Sequence, residues 1–287
     1  MQTKKENMRK WLIFVLLLSV CGAVIAQETK LSADEKEVRP KVALVLGGGG
    51  AKGASAVGVL KYVEKSGVPI DMVVGTSIGS IVGGLYAMGQ TSEQLDSLFR
   101  TRAWADLFTG SLMGDSIVRT LRDLTGREMT FESLQIPFRC VAVDLNGMRE
   151  VVLKEGNLAQ AMRASMAIPL VFKPVKMGNM RLVDGGVLNN LPVDVARDMG
   201  ADYVIAVDLT VNKHEDNSSS LLSLLRPDLK KYQRNCKDAD IYINPNLKGY
   251  GAEDFMPAKI AEMIALGEKA GKSSLKAMKK LKKRLGH

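Results

Sequence analysis

Met72-Val73-Val74-Gly75-Thr76-Ser77-Ile78-Gly79 is the stretch whose reading decides the fold. The apolar run Met72 to Val74 enters the pentapeptide Gly75 to Gly79, and a run of small and apolar residues, Ile78 to Met88, leaves it. A short apolar run bounded by glycine predicts a buried strand, and the longer run after it predicts a helix. Between the two the chain must reverse within a few residues. Gly-x-Ser-x-Gly is the spacing that sets a serine on such a strand-to-helix turn. A side chain at either flanking position would collide with neighbouring backbone, which is why both are glycine. Ser77 is then expected at a helix N-terminus, where unpaired N–H groups and the helix dipole favour negative charge. The plainer alternative is a glycine-rich turn with a capping serine, because the chain holds 27 glycines in 287 residues.

Upstream, Lys41 to Leu46 predicts a first strand, which runs into Gly47-Gly48-Gly49-Gly50-Ala51-Lys52-Gly53. A helix follows, with Ala54, Val57, Leu60 and either Tyr62 or Val63 on one face, and Gly67-Val68-Pro69 ends it. Strand, glycine turn, helix, repeated twice, is the pattern of a parallel sheet covered by helices. A serine nucleophile needs an oxyanion site. The loop of Gly48, Gly49, Gly50, Ala51, Lys52 and Gly53 offers backbone N–H groups for it, joined by the Ile78 amide from the other side. Lys52 would orient the loop or add positive charge. Gly48-x-Gly50-x-x-Gly53 also matches a dinucleotide fingerprint. That reading wants an acidic residue at the end of the next strand. Here the strand ends in Gly75-Thr76-Ser77, and Asp71 precedes it. A P-loop would need Ser or Thr after Lys52, where Gly53 stands.

Downstream, Thr91 to Leu98 predicts a helix capped by Thr91 or Ser92. Residues 101–135, with Trp104, Leu107, Phe108, Leu112 and Met113, are less regular and read as core or as a cap over a site. Strands are expected at Phe138 to Val143 and Glu150 to Leu153 around Asn146-Gly147, and a short helix at Leu158 to Ser165. Leu170 to Val175 and Met180 to Val183 read as a hairpin around Gly178-Asn179. Asn190-Leu191-Pro192 leads into a helix ending at Met199. Tyr203 to Val207 and Ile241 to Ile243 complete the strands. His214 to Ser220 is polar and loop-like, Leu221 to Gln233 is a helix interrupted by Pro227, and Pro257 to Leu285 is a long terminal helix.

The base for Ser77 is the next question. A Ser-His-Asp triad requires histidine, and the chain has two, His214 and the terminal His287. The order Ser77, Asp184, His214 suits a triad, yet His214 stands in His-Glu-Asp-Asn-Ser-Ser-Ser, which holds nothing rigidly. Three carboxylates follow strands, where a parallel sheet places its site: Asp144, Asp184 and Asp208. Asp144 and Asp208 sit in Val-Asp-Leu and read as loop hydrogen-bonding groups. Asp184 is followed by two glycines, which permit close approach to Ser77, and is assigned as the base.

With these residues in place the chain resembles the patatin-like phospholipases. The matches are Gly48-Gly49-Gly50-Ala51-Lys52-Gly53, Gly75-Thr76-Ser77-Ile78-Gly79, Ala164-Ser165-Met166-Ala167-Ile168-Pro169 with Phe172 and Pro174, and Asp184-Gly185-Gly186. They occur in the family's order across roughly residues 41 to 210. Lys52 stands where Arg is commoner. The resemblance implies an α/β fold, a three-layer α/β/α sandwich with a central mostly parallel sheet. It implies a Ser77–Asp184 dyad without histidine, oxyanion stabilisation by the glycine loop, and hydrolysis of acyl esters in phospholipid or other lipid without metal or cofactor. Two rival readings are a dinucleotide-binding enzyme and a catalytically silent lipid-binding or scaffold protein.

Composition bounds the rest. Apolar residues make up 46% of the chain, enough for a sizeable core. Three cysteines are too few for a disulfide framework, and Cys140 lies in an apolar strand-like run. Residues 1–26 read as an export signal: Lys4, Lys5, Arg9 and Lys10 precede the apolar Trp11 to Val20, and Val24-Ile25-Ala26 precedes a cleavage site at Gln27. An uncleaved anchor and lipidation at Cys21 are the alternatives, and a periplasmic or secreted protein is expected. Residues 27–40 read as a linker, 41–255 as the hydrolase domain and 256–287 as a terminal helix with a basic tail. The net charge of +9 divides into +3 in the leader, +7 in residues 268–287 and −1 between them. A near-neutral body argues against a nucleic-acid partner and for a local anionic one. Leu275, Met278, Leu281 and Leu285 fall near one face of the terminal helix among lysines. This predicts either an amphipathic helix lying on an anionic membrane or a packed helix with a solvated side.

Overall fold

The structure, a computed structural model, describes residues 39–101, 123, 128–211 and 229–286. The leader, most of the linker, Trp104 to Met113, His214, Leu221 to Asp228 and His287 lie outside the described residues. The chain divides into two units at Arg39, and the fold below belongs to the second, Pro40–His287.

Five strands run parallel, side by side: β3 (Phe138–Asp144), β2 (Met72–Thr76), β1 (Val42–Leu46), β7 (Tyr203–Val207) and β8 (Ile241–Ile243). Beyond β3 the sheet turns antiparallel. There β4 (Arg149–Leu153) and β6 (Met180–Asp184) both pair with β3, and β5 (Val175–Met177) pairs with β6.

The central strands are covered on both faces, so they read as continuous apolar runs rather than alternating ones. Every residue of β1 is buried, and its side chains still divide by the two-residue period. Val42, Leu44 and Leu46 enter one core, while Ala43 and Val45 enter another. The first core is closed by α1 (Gly53–Ser66), α2 (Ile78–Ala87), α3 (Ser92–Thr101), α4 (Leu158–Ser165) and α7 (Pro257–Arg284). The second is closed by α5 (Val193–Asp198) and α6 (Leu229–Asp238). The expected three-layer sandwich is the architecture observed.

One local expectation is corrected, and at a second place one of two alternatives is met. The hairpin does not begin at Leu170: β5 starts at Val175, and Leu170 has φ 69°. Pro169 and Pro174 bracket this segment, and neither has an N–H to give to a ladder. The second concerns the terminal helix. Met278, Leu281 and Leu285 are buried in the first core, and Leu275 is half-buried. These residues face the protein and not a bilayer. Close packing of α7 on α1 requires glycine on both sides. A Cβ at Gly267 would stand 1.9 Å from Ser55 O, and one at Gly58 2.1 Å from Ile264 O. Lys269, Lys272, Lys276, Lys279, Lys280, Lys283 and Arg284 remain on the outer side. No helix among the described residues is long and apolar enough to cross a membrane.

Candidate active site

The strand-to-helix turn at Ser77 is as sharp as its sequence demands. Ser77 has φ 54° and ψ −126°, at the N-cap of α2. Such a backbone conformation costs a non-glycine residue on the order of 1–3 kcal/mol and persists only where neighbours over-determine it. Those neighbours are present. The Ser77 N–H donates to Ser165 Oγ at 3.0 Å, and the Ser165 hydroxyl donates onward to Val141 O at 2.6 Å. Ser77 O accepts from the Ser80 hydroxyl at 2.6 Å and from the Ser80 N–H at 2.8 Å. The helix can descend this far only because Gly79 has no side chain: a Cβ there would lie 2.2 Å from Leu46 O.

The sheet explains how a residue 107 positions along the chain reaches Ser77. β2 occupies one edge of β3 up to Thr76, which stands opposite Val141. β6 occupies the same edge from the other direction and ends with Asp184 opposite Ala142. The two strands therefore meet end to end at consecutive residues of β3. Across that seam Ser77 Oγ donates a hydrogen bond to Asp184 Oδ2 at 2.6 Å. Asp184 Oδ1 accepts from the Gly186 N–H at 2.7 Å, and the Asp184 N–H donates to Ala167 O at 3.0 Å. Asp184 is buried, and burial pushes its carboxyl up to about 6 against the opposing pull of the Ser77 and Gly186 hydrogen bonds. At neutral pH it is still a carboxylate, and a more basic one than usual.

The other two strand-end carboxylates do not face Ser77. Asp144 accepts from the Arg181 and Asn146 N–H groups and from Arg149, which hold it below the usual carboxylate range. Asp208 accepts from the Tyr232 and Tyr242 hydroxyls and from the Thr210 N–H. Both phenols are pushed up, by burial first and the Asp208 charge second.

The glycine loop has fewer free amides than its sequence suggests. The Gly48 N–H donates to Asn190 O at 3.1 Å, the Ala51 N–H to Ala252 O at 2.8 Å and the Lys52 N–H to Gly49 O at 3.3 Å; the Gly53 N–H is also used within the turn. Among the described residues, the amides of Gly49, Gly50 and Ile78 have no acceptor. These three amides are left able to donate, while those of Gly48, Ala51, Lys52 and Gly53 are used in building the loop. Gly50 has φ 57°, and a Cβ on it would meet Ala252 O at 2.3 Å. The Lys52 side chain is largely buried, and burial lowers its pKa although Asp208 and Glu253 pull the other way.

Sequence reasoning missed the residues that stitch these parts together. Asn190 grips Gly48 twice, through its backbone O and through its Nδ2, which donates to Gly48 O at 3.3 Å. Thr76 Oγ1 donates to Asn189 O at 2.9 Å. Ser165 lay in a quoted motif without a role. Ala252 lies in no motif at all, and only the fold brings it to the loop.

Comparison with known proteins places this chain in a family. The profile described as "Patatin-like phospholipase" matches residues 44–197. The chain belongs to the patatin-like phospholipase family. Among its relatives, "Patatin-like phospholipase domain-containing protein 6" of Mus musculus is 40% identical over 199 residues, 62% of this chain and 14% of that one. A Mycobacterium bovis protein of the NTE family, Mb1092c, is 35% identical over 178 residues, 59% of this chain and 49% of its own length. This patatin-like chain thus spans a small part of its mammalian relatives. Among solved structures, VipD from Legionella pneumophila has the same fold: TM-score 0.57 at 14% identity, covering 84% of this chain and 67% of that one.

Proposed function

We propose that this patatin-like chain is a serine acyl hydrolase that cleaves acyl esters of lipids, of phospholipase A or lysophospholipase type, through a Ser77–Asp184 dyad. The observation that carries the proposal is the 2.6 Å hydrogen bond from a serine hydroxyl, on a strained elbow, to a buried carboxylate. Asp184 takes the hydroxyl proton as Ser77 Oγ bonds to the acyl carbon. The carbonyl oxygen becomes an oxyanion, held by the Gly49, Gly50 and Ile78 amides. The intermediate collapses by breaking the ester C–O bond. The leaving alcohol takes the proton from Asp184, and the acyl group stays on Ser77. Asp184 then removes a proton from water, the resulting hydroxide adds to the acyl carbon, and Ser77 leaves with that proton restored to its Oγ. Helping this cycle, the raised pKa brings the carboxylate nearer to the hydroxyl it must deprotonate. Residues 1–26 carry the further proposal that this chemistry takes place outside the cytoplasm.

The test is exposure of the full chain to a fluorophosphonate followed by peptide mass spectrometry. A phosphonyl adduct on Ser77, lost in the Asp184→Asn variant, is expected. Absence of any adduct, with the chain folded, overturns the proposal.

A further inference from the structure

The terminal helix turns its apolar face inward, so a lipid-facing surface has to be sought elsewhere. Leu170 and Val171 are the candidates. They are 82% and 53% exposed, in the loop between α4 and β5. Leu170 is also held at φ 69°, an unfavourable region for a bulky residue, with its side chain in solvent. This loop is fastened directly to the dyad. Ala167 O accepts from the Asp184 N–H, and Ser165 Oγ accepts from the Ser77 N–H. Leu170 is three residues past Ala167, so its Cα lies within about 11 Å of that anchor.

Charge picks out the same stretch. Between Glu155 and Asp184 the sequence contains Arg163, Lys173, Lys176 and Arg181 and no acidic residue, in a body whose charge is close to neutral. Lys176 and Arg181 stand directly opposite each other across the β5–β6 ladder, and both are exposed. Like charges in that position destabilise a hairpin. Among the described residues, no carboxylate lies within ion-pair distance of Lys173, Lys176 or Arg181. Two exposed aliphatic side chains beside an uncompensated basic pair match the surface of an anionic bilayer, apolar below and negative at its headgroups.

We infer that the Pro169–Lys173 loop, with Lys176 and Arg181, docks the chain on an anionic lipid bilayer. Leu170 and Val171 enter the interface, and Ser77 and Asp184 lie at its rim. The inference rests on the lipid hydrolase reading for its purpose and on the surface alone for its test.

The full chain carrying Ser77→Ala is sedimented with vesicles of phosphatidylcholine and phosphatidylglycerol in about a two-to-one ratio. The parent is expected to bind these and to bind pure phosphatidylcholine at least about tenfold more weakly, with raised salt weakening the first. Leu170→Asn with Val171→Ser, and separately Lys176→Gln with Arg181→Gln, should each cost about tenfold or more in vesicle affinity without lowering the thermal midpoint. Vesicle binding equal to the parent's in both variants overturns the inference. So does a loss of binding confined to Lys279→Gln with Lys280→Gln and Lys283→Gln, which would return docking to the terminal helix. Fluorophosphonate labelling of the wild-type chain separates the two proposals. Labelling without vesicle binding refutes docking alone, and vesicle binding without labelling refutes the hydrolase alone.

Discussion

At the elbow, Gly79 lets α2 come down onto the end of β1; at the crossing of α1 and α7, Gly267 lets one helix lie against Ser55 of the other. The local chemistry is the same in both places: a missing side chain lets backbone meet backbone. The outcomes are opposite. The crossing buries Ile260, Met263, Ile264 and Met278 in the first core, and its close contact serves packing. The elbow leaves Ser77 in a strained conformation, keeps three amides without acceptors, and buries an ionisable carboxyl beside them. Close approach stabilises where what it brings together is already satisfied. Where it leaves backbone amides without acceptors, as at the elbow, it leaves donors open to a ligand.

The sharpest way to break this comparison is Ser77→Ala. It should lower hydrolysis of a short-chain ester by roughly 10³-fold or more while the chain stays folded. A rate near wild type would remove the elbow from the chemistry.

Asp184→Asn should cost activity about as heavily, because members of one catalytic unit are not additive. It also tests the stability side. In the folded chain Asp184 keeps its proton up to about pH 6, against 3.8 for an ordinary aspartate. Its contribution to stability is therefore present below 3.8 and lost as pH rises through about 6. The Asn variant carries no such loss, so its thermal midpoint should gain on wild type between about pH 4 and pH 7.5. A constant difference between the two across that range would remove the buried carboxyl's role. For activity the sign is the reverse. kcat/KM should fall about tenfold per pH unit below about 6, as the base acquires its proton.

Gly267→Val addresses the crossing. It should destabilise the fold by about 3 kcal/mol, since the added atoms fall on backbone that cannot give way. Chemical denaturation measures it, and an unchanged midpoint would show the helices to be loosely packed. Ser165→Ala is the smallest change of the set. Its hydroxyl accepts from the Ser77 N–H and donates to Val141 O, tying the elbow to β3. It should lower kcat about tenfold, with KM nearly unchanged, as expected of a positioning residue. A loss confined to KM would place its effect in substrate binding instead.

The parallel core was legible because β1 and β2 are short apolar runs that each end in glycine, a signal local to each segment. Ser77 and Asp184 were legible for the same reason: both stand beside glycines at strand ends. What was not legible depends on partners far along the chain. The sequence offers seven residues around the oxyanion equally. It cannot say that Asn190 takes the Gly48 amide and Ala252 the Ala51 amide, because those partners arrive from other elements. Amphipathic spacing along residues 275–285 shows that one face is apolar, not whether α1 or a lipid covers it. The hairpin boundary slipped because Leu170 and Val171 look like strand residues until the prolines around them are weighed.

One consequence follows from the seam where β2 and β6 stop against Val141 and Ala142. Ser77 and Asp184 are aligned by two adjacent residues of a strand to which neither belongs. Of the chain that joins them, more than a hundred residues long, β3 sets the register, and Ser165 and Ala167 each accept one backbone N–H of the pair. Insertion, deletion or exchange in the other connecting segments leaves the pair in register as long as β3, Ser165 and Ala167 keep their places. The pieces hung between those anchors are the parts of the chain most open to replacement.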